Sequence, residues 1–484
     1  MARAVFRCDA SPRIGAGHVM RCIVFADALA WAGWSVTFVT RPETLGVVPA
    51  LKSRSESIRL VAGNDDDACE PADVAIVDHY GLDAVFERRL SKTSSQIVVF
   101  DDLADRDHAC DILVDPTPGR GADAYTAHVP PSARLLLGPE YALVRADWRR
   151  KSHESRQRLA QVGPVGRILV MMGATDPLDT TSRVLAALSR TKLECAVDVV
   201  LGAGAPYAAH VRDALGPRMR LHVDPPNLTE LAAQADLAIG AAGSSSFERA
   251  VLGLPAILVA FAENQKFIAA AFAERRGACV VPLATLDDAD AMAAIIADLA
   301  ADGPGRAAMS QAAAALSDGR GALRLLTEIA GGSILLDGAR VRLRVAETAD
   351  EAGLLSLQSE PDLRRYFHNP AVPSEAEHRA WLQRTLADGE RLLMIVEVAG
   401  AAAGMLRLDR QSEGGRPVYG VSIATASAFQ RRGVGGAALA LARRLAPAAA
   451  FEATVSPQNV RSATLFRRAG YRQVGPDLFR SEAA

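Results

Sequence analysis

Short apolar runs alternate with longer amphipathic stretches through the first two thirds of the chain. Short runs rich in valine and isoleucine are typical of buried strands, and the periodic stretches between them are typical of helices. We expect strands over residues 4–8, 35–39, 74–77, 96–100 and 112–114, and in a second series over 167–173, 196–201, 220–223, 237–239 and 256–259. This alternation predicts an α/β fold with parallel sheets that carry helices on both faces.

The pattern changes after about Ala330, where Gly331-Gly332-Ser333 predicts a flexible break. Two doubly wound lobes in series normally face each other across a cleft, and their ligands bind outside the carboxyl ends of the strands. The expected domains are a first lobe at 1–150, a second lobe at 151–330 and a separate domain at 334–484.

Composition excludes several classes of function. The formal net charge of −2 over 484 residues does not indicate a surface for nucleic acid or anionic membranes. No apolar run reaches the roughly 18 residues of a membrane span, so we expect a cytoplasmic protein. The six cysteines form no C-x-x-C pair and lie mostly in apolar contexts, which is typical of buried thiols rather than of a disulfide framework or a zinc site.

Two glycine turns carry the candidate chemistry, and the first is Gly15-Ala16-Gly17, which precedes His18. It closes an expected strand and opens a helix, and the unpartnered amides at such a turn favour a phosphate. We interpret His18 as a general base, because a neutral imidazole accepts a proton from water; a histidine that bonds its own backbone is the alternative. A third glycine is missing, which disfavours a nicotinamide cofactor. The substrate-binding residues expected around this turn are Arg13, Gly15, Gly17 and Arg21.

The segment from Arg7 to Cys22 reads R-C-D-A-S-x-x-I-G-A-G-H-V-M-R-C, where x marks Pro12 and Arg13. It resembles the opening motif of the UDP-sugar hydrolases of pseudaminic acid biosynthesis, over about residues 3–330. Further family-like segments follow in the family's order at 77–81, 100–102, 137–145, 241–248 and 263–265. The resemblance implies two Rossmann-like lobes in the glycosyltransferase-B architecture. It also implies release of UDP from UDP-2,4-diacetamido-2,4,6-trideoxy-β-L-altropyranose.

In the second lobe, the resemblance implies a nucleotide site at Gly243-Ser244-Ser245, whose amides and hydroxyls would hold a diphosphate. A plain serine N-cap is the alternative. Glu248 lies one helical turn further on and is the expected acceptor of ribose hydroxyls, or else a solvated helix carboxylate. No carboxylate cluster in the sequence indicates an obligatory metal, so we expect none.

The resemblance also assigns substrate-binding residues to other segments. Asp78 would orient a histidine or bind sugar hydroxyls, although an aspartate that ends a strand is often only a turn residue. Tyr80 and Asn264 would contact the sugar, with a core aromatic and an N-cap as the respective alternatives, and Gln265 completes the family's N-Q segment. The implied reaction is attack of water at the anomeric carbon with UDP as the leaving group.

The second glycine turn, residues 430–436, stands between an expected strand at 419–426 and an expected helix at 437–445. The order strand, Q/R-x-x-G-x-G/A, helix resembles the acetyl-CoA signature of the GNAT acetyltransferases, over about residues 340–480. It implies an α+β GNAT domain whose loop amides hold the CoA pyrophosphate and whose splayed strand pairs with pantetheine. The expected cofactor-binding residues are Ile423, Gln430, Arg431, Arg432, Gly433, Val434, Gly435, Gly436, Asn459 and Phe466.

The acid and the base of this second reaction are not assigned by the sequence. Many GNAT members carry a tyrosine acid where this chain has Phe466. We interpret Asn459 as a residue that orients a strand–helix junction or a water.

Together the two resemblances indicate one pathway with a UDP-sugar and acetyl-CoA as the ligands. The C-terminal domain would N-acetylate the 4-amino group of a UDP-4-amino-4,6-dideoxy sugar, and the lobes would hydrolyse the diacetamido product. Three alternatives stay open: a glycosyltransferase of the same architecture, a hydrolysing 2-epimerase of the legionaminic branch, and a C-terminal domain that only senses acetyl-CoA. The sequence does not give the oligomeric state.

Overall fold

The computed structural model describes residues 2–11, 14–54, 57–64, 71–367, 369–411 and 415–482. The chain divides into two compact units. The larger unit is Arg3–Ala26 with Val36–Ala322, and the smaller is Met1–Ala2, Asp27–Ser35 and Leu323–Ala484. Among the described residues, no helix combines the length and the apolar character needed to cross a bilayer.

The first lobe is built on a sheet of strands β1 Arg3–Cys8, β2 Ser35–Thr40, β3 Ser57–Leu60, β4 Ala72–Asp78, β5 Ser94–Phe100, β6 Ile112–Asp115 and β7 Arg134–Leu137. Its helices are α1 Gly17–Trp31, α2 Thr44–Val47, α3 Pro49–Lys52 and α4 Ala84–Leu90. The strand order is β3-β2-β1-β4-β5-β6-β7. Cys8 and Asp78 are register partners at the carboxyl ends of β1 and β4, in the middle of the sheet. Asp78 therefore lies beside the segment that connects β1 to α1.

Helix α5 Ala146–Leu159 leads to the second lobe, whose strands are β8 Arg167–Met171, β9 Ala196–Leu201, β10 Met219–Val223, β11 Leu237–Ala241, β12 Ala256–Ala260 and β13 Cys279–Pro282. Its helices are α6 Thr180–Arg190, α7 Ala208–Asp213, α8 Leu228–Gln234, α9 Ser245–Leu252, α10 Glu263–Glu274, α11 Ala289–Ala301 and α12 Gly303–Ala314. The strand order is β10-β9-β8-β11-β12-β13, and each neighbouring pair is parallel.

Both faces of the second sheet are buried, as the apolar runs predict. Side chains of a strand alternate between the two faces of its sheet. Ile168 and Val170 of β8 belong to one apolar core, and Leu169 and Met171 between them belong to another. Helices therefore cover both faces, which confirms the doubly wound arrangement.

The smaller unit contains most of helix α13 Gly321–Ala330 and a mixed sheet. The strands are β14 Gly332–Ile334, β15 Arg340–Val345, β16 Arg391–Val398, β17 Ala401–Arg410, β18 Val418–Thr425, β19 Ala450–Thr454, β20 Arg472–Gln473 and β21 Leu478–Ser481. The helices are α14 Glu351–Ser359, α15 Pro361–Arg364, α16 Glu375–Ala387, α17 Val434–Leu445 and α18 Val460–Arg468. The order is β14-β15-β16-β17-β18-β19-β21-β20, with β18 and β19 parallel and the other neighbours antiparallel.

The predicted fold class is confirmed, and the ten strands predicted for the two lobes are present, as is the one predicted at 419–426. The predicted flexible break at Gly331-Gly332-Ser333 is wrong, because Gly332–Ile334 is strand β14, which pairs with β15. The edge strands β3, β7 and β13 were not predicted. Residues of β3 are mostly exposed and alternate in polarity, so this strand lacks the apolar run that marks a central one.

Candidate active site and cofactor site

A cleft of about 220 Å³ is lined by residues of both lobes. It lies at the carboxyl ends of the strands, where α1 begins in the first lobe and where α9 and α10 begin in the second. Eight of the residues predicted from sequence line it together: Gly17, His18, Arg21, Tyr80, Gly243, Ser244, Asn264 and Gln265.

His18 stands at the second position of α1, and the fully buried Asp78 orients it. Nδ1 of His18 lies 2.5 Å from Oδ1 of Asp78. Burial alone would raise the pKa of Asp78, but the charge of Arg21 and hydrogen bonds from Arg21 and His18 hold it well below its usual range. An ionised carboxylate only accepts, so Nδ1 of His18 donates this hydrogen bond and Nε2 is the ring nitrogen left for the cleft.

Arg21 forms hydrogen bonds with two carboxylates of the same cluster. Its Nε and Nη2 donate to the two oxygens of Asp78 at 2.6 and 2.7 Å, and its Nη1 donates to Oδ2 of Asp102 at 3.1 Å. Arg21 thus balances two carboxylates while it lines the cleft, and its predicted part in substrate binding stays a prediction. Asp78 orients the histidine rather than binding sugar, because its side chain is 0% exposed.

Tyr80 closes one side of the cleft over His18. The two rings meet edge to face with centroids 4.3 Å apart. The Tyr80 hydroxyl donates to Oδ1 of Asp102 at 3.0 Å and accepts from Nδ2 of Asn264 at 3.4 Å. Burial and the charge of Asp102 raise the pKa of Tyr80 far above its usual value, so the phenol stays protonated. Asn264 is not an N-cap, because Ala262 precedes α10 in that position.

The start of α9 leaves a hydroxyl free for a ligand. Ser244 occupies the N-cap position with helical dihedral angles, and its side chain makes no capping hydrogen bond. The plain N-cap alternative is therefore wrong for Ser244. Ser245 does not line the cleft; its Oγ accepts from Nη1 of Arg249 at 3.1 Å. Gln265 lies across from Gly243, and its Oε1 accepts from the Phe261 amide at 3.0 Å.

Glu248 lies outside the cleft lining, one turn into α9, and its side chain is 21% exposed. Its Oε1 is 4.0 Å from Nε of Arg145. Burial raises the pKa of Glu248 to about 7, although the charge of Arg145 works in the opposite direction. Glu248 is therefore too buried to be the solvated helix carboxylate that the alternative interpretation describes.

One described residue predicted around the first glycine turn, Gly15, does not line the cleft. Gly15 has φ of +85° and its amide donates to the Ser11 carbonyl at 2.8 Å, so this glycine serves the turn itself. Arg13 lies outside the described residues. Nine further residues line the cleft without a role predicted from sequence, and only Asp102 among them is charged: Ile14, Phe100, Asp102, Pro116, Thr117, Ala142, Leu143, Phe247 and Ile268. The position of Asp102 just after β5 was the available signal.

In the smaller unit, β18 and β19 separate along their length. They pair only over residues 418–420 and 450–452, although β18 continues to Thr425 and β19 to Thr454. Ile423 lies in the part of β18 that lacks a β19 partner and is paired with Leu406 on its other side. The backbone of residues 421–425 is thus open toward β19.

The glycines of the second turn meet different backbone and packing constraints. Gly433 has φ of +87° at the N-cap of α17, a conformation that glycine adopts at little cost. A Cβ at Gly436 would meet no atom within 4 Å, whereas one at Gly435 would lie 3.0 Å from Cδ2 of Leu465. Gly435 therefore lets α17 pack on α18, and the predicted close approach of a ligand to its backbone stays a prediction. Val434 is 2% exposed, so only its backbone is available to a ligand.

Two polar residues of this turn form hydrogen bonds within the protein. Arg432 donates from Nη2 to Oδ2 of Asp337 at 2.7 Å and lies over the Phe429 ring. Gln430 donates from Nε2 to the Thr425 carbonyl at 3.2 Å, which fixes the end of β18. Arg431 and Arg432 are both exposed, and Arg431 has φ of +63°.

Asn459 and Phe466 are structural residues of α18. Oδ1 of Asn459 accepts from the Ser462 amide at 3.0 Å and caps the helix, which agrees with the strand–helix interpretation. Phe466 is 3% exposed and packs against Tyr471 with ring centroids 5.0 Å apart. The predicted contact of the Phe466 side chain with the cofactor is therefore corrected, and that of Asn459 stays a prediction. Among the described residues, no group of three or more histidine, cysteine, aspartate or glutamate side chains is placed to hold a metal ion.

Known proteins resemble the two parts separately. Residues 168–324 match the glycosyltransferase family 28 C-terminal domain, and residues 340–472 match the acetyltransferase (GNAT) domain. The UDP-2,4-diacetamido-2,4,6-trideoxy-beta-L-altropyranose hydrolase of Campylobacter jejuni is 25% identical over 281 residues, which are 56% of this chain and 97% of the relative. The spore coat polysaccharide biosynthesis protein SpsG of Bacillus subtilis is 22% identical over 64% of this chain and 93% of its own length.

Among solved structures, Acinetobacter baumannii MurG superposes with a TM-score of 0.47 at 15% identity, over 68% of this chain and 99% of the MurG chain. By sequence, the chain is an enzyme that joins a two-lobed unit, similar to the Campylobacter UDP-sugar hydrolase and to the glycosyltransferase family 28 C-terminal domain, to a C-terminal domain that is similar to the GNAT acetyltransferases.

Proposed function

We propose that the two lobes hydrolyse a UDP-2,4-diacetamido-2,4,6-trideoxy sugar to UDP and the free sugar. The observation that carries this proposal is the bond between Nδ1 of His18 and Asp78 at 2.5 Å, inside a cleft that the start of α9 completes. A histidine held in this tautomer presents Nε2 as a base. The similarity to the Campylobacter hydrolase supports the choice of substrate.

The proposed reaction needs one proton acceptor and one anion site. Nε2 of His18 takes a proton from water while the water oxygen bonds to the anomeric carbon, and the bond from that carbon to the diphosphate oxygen breaks. Asp78 stabilises the imidazolium that results. The amides and the free hydroxyl at Gly243 and Ser244 hold the departing diphosphate, and Glu248 accepts a ribose hydroxyl.

The GNAT domain, in the same proposal, acetylates the 4-amino group of a UDP-4-amino-4,6-dideoxy sugar with acetyl-CoA. The amine nitrogen attacks the thioester carbonyl, and CoA leaves as a thiol. The amides at the start of α17 hold the pyrophosphate, and the open backbone of residues 421–425 pairs with pantetheine. The smaller unit would act first and the larger one second, and the shared chain raises the local concentration of the intermediate.

Product analysis tests the proposal directly. The full chain is incubated with the 4-amino UDP-sugar, with and without acetyl-CoA, and with the diacetamido UDP-sugar, and the products are followed by NMR. We expect UDP and free sugar from the diacetamido compound alone, and from the 4-amino compound only when acetyl-CoA is present. In H₂¹⁸O the label is expected in the sugar and not in UDP, because the bond to the anomeric carbon breaks.

The open alternatives give other products. A hydrolysing 2-epimerase would release a sugar with inverted configuration at C2. A glycosyltransferase would release UDP only when an acceptor is added. A GNAT domain that only senses acetyl-CoA would leave the 4-amino compound unacetylated, and its hydrolysis activity would depend on acetyl-CoA. Each of these outcomes contradicts the proposed pair of reactions.

A further inference from the structure

The two lobes meet through the first turns of α10. Nδ2 of Asn264 reaches the hydroxyl of Tyr80 at 3.4 Å. Phe267, one turn further along the same helix face, lies under the guanidinium of Arg120, whose Cζ is 5.1 Å from the ring centroid. Phe267 is still 49% exposed. The contact between Asn264 and Tyr80 lines the cleft, whereas the contact between Phe267 and Arg120 lies outside its lining.

Both contacts converge on Asp102. Tyr80 donates from its hydroxyl to Oδ1 of Asp102 at 3.0 Å, and Arg120 donates from Nη2 to the Asp102 carbonyl oxygen at 3.0 Å. The side chain of this aspartate is 16% exposed and lines the cleft. Asp102 therefore touches, through one residue each, both places where α10 reaches the first lobe.

From Asp102 the contacts continue to the histidine. Oδ2 of Asp102 accepts from Nη1 of Arg21 at 3.1 Å, and the opposite edge of the same guanidinium holds Asp78, which holds Nδ1 of His18. A guanidinium is planar and rigid, so the position of one of its edges constrains the other. The orientation of His18 is thus linked by charge-assisted hydrogen bonds to the position of Asp102.

We propose that Asp102 is a positioning residue that couples the docking of α10 on the first lobe to the orientation of His18. This inference rests on the proposed function in one respect, that His18 is the base. When α10 docks, Asn264 and Phe267 fix Tyr80 and Arg120, and these two hold Asp102, Arg21 and Asp78 in the arrangement that aims Nε2 at the cleft. Tyr80 and Asn264 then act first on each other, and only secondarily on the sugar.

The kinetic test uses Tyr80→Phe, Asn264→Ala and the double variant. Tyr80→Phe keeps the ring on His18 and removes the hydroxyl that joins Asp102 to Asn264. We expect each single variant to lower kcat about 10-fold with the inhibition constant of UDP within about two-fold, and the double variant to be no slower than the slower single one. Lys266→Ala is the matched control, because Lys266 is exposed on α10 and pairs only with Glu263 among the described residues; its kcat should not change.

The opposite pattern would overturn the inference. If the single variants raise KM without lowering kcat, the two side chains contact the sugar directly and independently. If their effects on kcat multiply in the double variant, Tyr80 and Asn264 do not act through their mutual contact.

A second measurement does not depend on hydrolysis. Hydrogen exchange of the full chain saturated with UDP should slow at residues 17–21 and 263–268 together. Asn264→Ala and Asp102→Asn should each remove the protection at 17–21, and Lys266→Ala should keep it. Unchanged protection at 17–21 in Asn264→Ala would overturn the coupling. If the coupling holds while His18→Asn still hydrolyses the substrate at full rate, the base assignment is wrong and the coupling stands.

Discussion

Asp78 accepts a hydrogen bond from Nδ1 of His18 at 2.5 Å, although 60 positions separate the two residues in the chain. The pairing depends on β1 and β4 being neighbours, since α1 follows β1 and Asp78 ends β4. The sheet topology thus decides which nitrogen of the histidine faces the cleft.

Replacing His18 should separate catalysis from binding. His18→Asn removes the base and keeps a side chain that bonds Asp78, so we expect kcat for hydrolysis to fall by about 10²–10⁴ while UDP affinity changes only a few-fold. Stopped assays of UDP release and titration calorimetry with UDP measure the two effects. His210→Asn, at a side chain that is 63% exposed in the second lobe, serves as the control. Full hydrolysis by His18→Asn would remove the base assignment.

Asp78→Asn should affect both catalysis and stability. The amide no longer fixes the tautomer of His18, and kcat should fall by about 10²–10⁴. Arg21 also loses its closest counter-ion in a buried place, so the free energy of unfolding should fall by about 3 kcal/mol. Urea unfolding and initial rates at matched folded fraction measure these effects. Asp73→Asn on the same strand is the control, because that carboxylate is exposed and bonds only the Arg3 amide among the described residues. A variant with wild-type kcat would contradict the orienting role.

The stability of the larger unit should decline on the alkaline side because of His108. Burial favours its neutral ring, but the neighbouring carboxylates of Asp101 and Glu87 more than offset this and raise the pKa of His108 to about 9. A raised pKa contributes stability that is fully present below about pH 6.5 and is lost as the pH rises through 9. The loss should be on the order of 3 kcal/mol.

Urea unfolding at several pH values between 6.5 and 9.5 measures this decline of about 3 kcal/mol. In His108→Gln the unfolding free energy should be lower throughout, and its slope over this range should be flatter than in the wild type. His128→Gln, at a partly exposed histidine of the same lobe, should keep the wild-type slope. An unchanged slope in His108→Gln would show that another group titrates.

Two adjacent glycines of α17 provide a matched pair for the acetyl-CoA site. Gly436→Val places its side chain in open space at the start of the helix, so it should block the pyrophosphate and abolish acetyl transfer while the melting temperature stays the same. Gly435→Val pushes against Leu465 and should lower the melting temperature instead. Thermal unfolding and a thiol-release assay for CoA distinguish the two. Acetylation at the wild-type rate by Gly436→Val would place the pyrophosphate elsewhere.

Hydrolysis of the diacetamido substrate by Gly436→Val tests the sensor alternative. The hydrolysis rate should equal that of the wild type with or without acetyl-CoA, because the cleft of the lobes is a separate site. A wild-type rate that rises with acetyl-CoA, and a variant rate that no longer responds to it, would favour a sensor.

Apolar runs predicted the central strands well because burial on both faces leaves a continuous signal in the sequence. The edge strand β14 was mistaken for a flexible break, because the strand character of Gly332 and Ser333 comes from pairing with β15 and not from their own preferences. A local sequence pattern does not contain the strand partners that the tertiary structure provides.

The site residues show the same limit more sharply. The motifs predicted His18 and the second-lobe turn as site residues. The sequence does not show what a Cβ at each glycine would contact, so it did not distinguish Gly435 from Gly436. Nor does it show that Arg21 is already paired with two carboxylates. Asp102 follows β5 closely and was still given no role, because its partners Arg21, Tyr80 and Arg120 lie in three different segments of the chain.

The pairing of Arg21 has a consequence for the charge of the site during turnover. One guanidinium faces the two carboxylates of Asp78 and Asp102, so with a neutral imidazole this buried group carries one net negative charge. In the proposed reaction, transfer of a proton from water to His18 would bring this group to neutrality. The uncompensated charge would then be present before the reaction and absent after the water is deprotonated, so these three side chains would favour the proton transfer electrostatically. The same attraction would oppose the return of the proton to solvent at the end of the cycle.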